Sequence, residues 1–146
     1  MVATVRVKDV HEVFEAVASA KNRKAKLQVL QENNRMPVRD VLQGTFDSRI
    51  QWNLPTDTPP YTPQAEGAPS PRTLLKEHLK FKYFVRGLRE SEDLSNVTRE
   101  RMFIDILETI PPKDAQILVS MVNKKKPDFD GLTEKLVKEA YPDLIP

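Results

Sequence analysis

Three consecutive lysines, Lys124, Lys125 and Lys126, stand upstream of a Gly131-Leu132-Thr133 step that opens a short helical pattern carrying Lys135. A helix start leaves backbone N–H groups without intrahelical partners and carries a partial positive charge. Together these favour a bound phosphate. A second cluster, Lys21, Arg23, Lys24 and Lys26, fills four of six positions where another helix pattern begins. The macrodipole disfavours cations at helix starts, so phosphates are one explanation for both clusters. Ordinary solvated charge, in a chain with 23 basic residues, is the other.

Other chemistry is sparse. The chain has no cysteine, which excludes disulfides, thiol catalysis and cysteine zinc sites. His11 and His78 fall on different predicted helices, and neither has a histidine or carboxylate at metal-ligand spacing. His78 reads as a core-edge or surface residue. Glu12, Glu15, Glu77 and Glu108 read as scattered helix-surface charges. Neither a glycine-rich phosphate loop nor a nucleophile elbow is present. Lys126 precedes an Asp130-Gly131 pair, but the spacing is wrong for a nucleotide-accepting lysine. The expectation is therefore a non-enzymatic protein with no catalytic residues, metal or cofactor.

The elements that must position the lysines read as helices. The 146 residues suit one domain, and 39% hydrophobic with 30% charged residues suits a helical bundle with a solvated surface. Net charge is only +2, so any nucleic-acid case rests on where charges cluster. No apolar run approaches membrane-span length and no signal-peptide core stands at the N-terminus. A cytoplasmic protein without a membrane partner is expected.

Val10, Val13, Phe14, Val17 and Ala18 trace one helical face. A second helix starts at Asn22, a good N-cap, and ends at Asn33-Asn34. Pro37 opens a third, with Val38, Val41, Leu42, Thr45 and Phe46 on its face. Six of the 12 prolines then fall within the 17 residues from Pro55 to Pro71. Proline blocks helix interiors and central strands, so this is a long extended loop, with Trp52 and Tyr61 placed to pin it. The longest helix is predicted over Thr73–Leu88, apolar on most sides and so central to the core. A fifth follows a cap near Thr98. Pro111-Pro112 stops it and starts a sixth, and Leu132, Leu136, Val137, Ala140 and Tyr141 mark a seventh. With no strand signal, the fold class is an all-α bundle of about seven short helices.

The order of segments carries a resemblance. A helix end, basic turn and second helix run from Val17 to Asn33, followed by Val41-Leu-Gln-Gly-Thr-Phe-Asp-Ser-Arg-Ile50. The chain closes on Gly131-Leu-Thr-Glu-Lys-Leu-Val and Tyr141-Pro-Asp-Leu-Ile-Pro146. This resembles the N-terminal all-helical DNA-binding domain of ATP-dependent DNA ligases, most closely the short phage type. The chain is also similar to small proteins of tailed phages. The resemblance spans most of the chain outside its first residues and the proline loop. It implies a domain that grips duplex DNA, plain or nicked, without reading sequence. Gly131, Leu132 and Thr133 would offer amides to a phosphate, Thr133 its hydroxyl, and Lys135 would approach the backbone one turn on. Lys21 and Lys24 would serve in the first basic turn. The catalytic ligase domains have no counterpart here, so ligation is not expected.

The resulting expectation is sequence-independent duplex binding through helix N-termini and basic turns, involving Lys21, Arg23, Lys24, Lys124, Lys125, Lys126, Gly131, Leu132, Thr133 and Lys135. Four to six phosphate contacts imply a log–log salt slope of roughly −3.5 to −5.5. Replacing Lys124, Lys125 and Lys126 with alanine should flatten that slope and leave folding intact. The alternative is a phage protein-interaction or virion structural module. It would dock a phage or host protein through the proline loop by extended proline-rich recognition.

Overall fold

The computed structural model describes residues 7–146, which are all-helical. Eight α-helices follow in order: α1 Val10–Ser19, α2 Arg23–Glu32, α3 Met36–Phe46, α4 Leu74–Glu77, α5 Arg89–Glu92, α6 Asn96–Thr109, α7 Pro112–Val122 and α8 Glu134–Ala140. A 3-10 helix, His78–Phe84, continues α4. The only strand-like feature among the described residues is a single bridge between Trp52 and Val85.

Helix boundaries follow their caps. The Asn22 side chain accepts the Ala25 N–H at 2.8 Å, Ser95 accepts the Thr98 N–H at 3.2 Å, and Thr133 accepts the Leu136 N–H at 3.2 Å. Pro112 occupies the first position of α7, where its missing N–H costs nothing. α7 is the hub. It packs on α1, α3 and α6, and buries Ala115, Ile117, Leu118, Met121 and Val122.

The central role expected for 73–88 therefore belongs to α7, and the longest helix is α6. Segment 73–88 gives way to the 3-10 helix because its buried residues recur every third position: His78, Phe81 and Phe84. Side chains at i and i+3 eclipse in a 3-10 helix, so that spacing lines one face. Leu79 is left 67% exposed, which an α-helix buried on all sides would not allow. Val85 is then extended, and Gly87 turns the chain at φ 93°. Trp52 packs edge-on against Phe81, and its indole N–H donates to the Gly44 carbonyl at 3.0 Å.

The proline-rich segment lies along the bundle. The Thr62 N–H donates to Glu108 Oε2 at 2.7 Å, Gln64 bonds the Glu108 carbonyl, and the Asp57 N–H donates to Asn123 Oδ1 at 2.6 Å. At its far end the Arg72 N–H donates to the Thr109 carbonyl at 3.0 Å. The C-terminal Tyr141-Pro-Asp-Leu-Ile-Pro segment is also packed. The Tyr141 hydroxyl donates to the Leu30 carbonyl at 2.5 Å, and Leu144 and Ile145 are buried.

Candidate nucleic-acid interface

The first basic turn and the start of α8 adjoin. α2 packs against α8, and Lys26 fastens the contact from inside. Its ammonium donates to the carbonyls of Val17 at 2.8 Å, Ala18 at 3.2 Å and Asp130 at 3.3 Å. Val17 and Ala18 end α1, whose last carbonyls lack intrahelical partners, so a cation there is favourable. Gly131, at φ 75°, gives this lysine room. A Cβ on it would lie 2.7 Å from Lys26 Cδ and Cε. Beside this knot, Arg23 pairs with Glu139 of α8 at 2.5 Å.

Lys124 takes a similar part elsewhere. It stands at φ 56° after α7, and its ammonium donates to the carbonyls of Gly44 at 2.7 Å, Asp47 at 2.9 Å and Ile50 at 3.0 Å. These carbonyls belong to the end of α3 and the turn after it. Burial holds its pKa below the usual lysine value, with Asp47 opposing that shift. Two cations that seemed misplaced at helix starts, Lys26 and Lys124, thus serve the ends of other helices.

The structure corrects several site expectations. Lys124 points inward and is committed to three acceptors, so it is not available to a phosphate, and removing it should harm folding. The Leu132 amide already donates to the Phe129 carbonyl at 3.1 Å, and Leu132 is fully buried. The Thr133 hydroxyl accepts as the N-cap of α8. α8 has only seven residues and carries Glu134 in its first turn, which opposes a second anion. Arg23 is ion-paired with Glu139. Gly131 acts by accommodating Lys26.

Five of the six expected lysines stay exposed: Lys21, Lys24, Lys125, Lys126 and Lys135. None of their side chains makes a hydrogen bond or ion pair among the described residues. Lys21 and Lys24 flank the start of α2, Lys135 lies one turn into α8, and Lys125 and Lys126 precede Asp130 on the segment leading to it. Between them, Pro127 is buried, and Phe129 meets Phe14 of α1 edge-on with ring centroids 5.5 Å apart. The lysine-bearing segment is thereby held against α1.

Sequence reasoning missed both histidine–aspartate pairs, each partly buried. His11 Nδ1 lies 2.9 Å from Asp114 Oδ1, and His78 Nδ1 lies 2.6 Å from Asp40 Oδ2. The partners are 103 and 38 residues away, so no local spacing could reveal them. The hydrogen bond that His11 donates to Asp114 holds the His11 pKa above its usual value against the opposing effect of burial.

All-α architecture built on a central α7 and a pinned proline-rich segment defines the class. Residues 13–127 match a family of unknown function, DUF6433, and the chain belongs to that family. No curated protein and no solved structure matches it. No helix among the described residues is long and apolar enough to cross a membrane.

Proposed function

We propose that this protein binds duplex DNA without sequence preference, through phosphate contacts from Lys21, Lys24, Lys125, Lys126 and Lys135. The observation that supports this most is that these five lysines are exposed and unpaired, with Lys21 and Lys24 on the basic turn that Lys26 ties to Asp130 just ahead of α8, while neighbouring cations are spent on structure. Phosphate contacts position a protein but carry no sequence information. The protein acts without catalysis, in the cytoplasm of a phage-infected bacterium, as the ligase-domain and phage resemblances imply. Helix N-termini play no part in this reading, because α8 is short, capped and acidic at its start.

Gel retardation at low salt on plain and nicked duplex tests the proposal. Wild type should retard both, and Lys24→Glu should weaken both by similar factors. A folded protein that retards neither DNA overturns it.

A second reading has one observation behind it. The proline-rich segment is fixed to α6 and α7 with most of its prolines exposed, and a cleft of about 290 Å³ runs between residues 54–60 and Phe103 and Ile104 of α6. A held, extended proline segment suits recognition by a phage or host protein, since little ordering entropy remains to be lost.

A further inference from the structure

One cluster away from the lysines joins the starts of two helices. Asp114, in the first turn of α7, is fully buried. Its Oδ1 accepts the His11 backbone N–H at 2.8 Å and lies 2.9 Å from His11 Nδ1. Its other oxygen, Oδ2, is enclosed and has no hydrogen-bond partner among the described residues. A buried carboxylate oxygen without a donor or cation is costly.

Asp9, the N-cap of α1, brings a third group. One donor atom from each of Asp9, His11 and Asp114 lies within 4.8 Å of the other two. Asp9 also accepts from the backbone of Glu12 in a capping box, and ligating carboxylates are commonly held by such bonds. Asp9 and His11 line a cleft of about 780 Å³ that Tyr61, Gln64 and Glu66 of the proline-rich segment share. The cleft offers an ion an entry path and room for water.

We propose that Asp9, His11 and Asp114 form a binding site for a divalent first-row transition ion, with water from the cleft completing its shell. One imidazole with two carboxylates suits such ions, whereas Mg²⁺ and Ca²⁺ prefer all-oxygen sites. At metal–ligand distances of about 2.0–2.2 Å, tetrahedral donors stand about 3.3–3.6 Å apart, so the 2.9 Å His11–Asp114 contact opens slightly while the cluster, now within 4.8 Å, closes by about an ångström at its widest. The ion replaces the proton shared by His11 and Asp114 and clamps α1 to α7. The site is independent of the lysine junction, so its failure would leave the DNA proposal untouched.

The test uses tag-free full chain stripped with chelator, then given Zn²⁺ or Mg²⁺. Zn²⁺ at a hundredfold excess over its Kd should raise Tm by about 5–10 °C, and Mg²⁺ should leave it unchanged. His11→Gln and Asp114→Asn should each weaken Zn²⁺ binding at least about tenfold. Absence of Zn²⁺ binding, equal stabilisation by Mg²⁺, or unchanged binding in a folded His11→Gln protein would each overturn the site. Co²⁺ added to wild type gives a readout that needs no variant. A visible band distinct from aqueous Co²⁺ supports inner-shell coordination, and the aqueous spectrum refutes it.

Discussion

Replacing Lys124 with methionine separates a structural cation from the binding cations beside it in sequence. The methionine keeps the apolar stem and deletes three ammonium hydrogen bonds, to Gly44, Asp47 and Ile50. A hydrogen bond to a charged group contributes about 1.5–3 kcal/mol. Three such bonds do not add fully, because they share one charge and the side chain is only half-buried. Two acceptors also keep another donor: Trp52 for the Gly44 carbonyl and the Ile50 N–H for that of Asp47. A net loss of about 2–4 kcal/mol follows, which lowers Tm by roughly 5–15 °C in a domain of this size. Lys125→Met and Lys126→Met touch no partner and should shift stability by less than about 0.5 kcal/mol. Thermal melts followed by circular dichroism, with urea titrations for ΔG, measure all three. If Lys124→Met melts within about 2 °C of wild type, the assigned role of this lysine is wrong. The reverse pattern in DNA affinity is expected, with Lys125 and Lys126 mattering and Lys124, in protein still folded, mattering little.

Three further outcomes follow from local geometry. Gly44→Ala, normally a gain inside a helix, should cost about 1–3 kcal/mol in a denaturant melt, because its Cβ would stand 2.5 Å from the Trp52 ring and 2.8 Å from Met121 Sδ. Gly131→Ala should cost about 1–2 kcal/mol for its left-handed φ plus a further loss from displacing Lys26, whereas Gly87→Ala, with nothing within 4 Å, pays for φ alone. The Arg49 guanidinium beside Asp47 holds that carboxyl down to about 2. Because its folded pKa lies below the unfolded value, its stabilisation is present above about pH 4 and lost as pH falls towards 2. With Arg49 exposed, the effect is about 1 kcal/mol, and Asp47→Asn should flatten that limb of an acid titration followed by urea melts.

What could be read from the chain was local. Asn22 and Asn33 bracket α2, Pro112 starts α7, and apolar spacing gives α1 and α3 nearly to the residue. Segment 73–88 reads as one long α-helix because its apolar residues fit a broad α-helical face as well as a threefold repeat. Trp52 and Val85, pairing across 33 residues, favour the tighter path. At the site, sequence offers charge but not its destination. Lys24 and Lys26 are indistinguishable in a string of letters, yet one faces solvent and the other ends α1. Lys124 and Lys125 divide in the same way, because the αL turn at Lys124 aims its stem at α3. The Asp114 cluster was invisible for the same reason: its members meet only once α1 and α7 pack.

The most direct measurement is fluorescence anisotropy of labelled duplex over a range of salt, for wild type and for a variant with Lys21, Lys24, Lys125, Lys126 and Lys135 all changed to glutamine. Engagement of three to five of these lysines predicts a wild-type slope of log K against log[salt] of roughly −2.7 to −4.5. The variant, equally folded, should show a slope near zero. Equal slopes for the two proteins, or no binding by wild type at low salt, would contradict the claim that these lysines hold a nucleic-acid backbone.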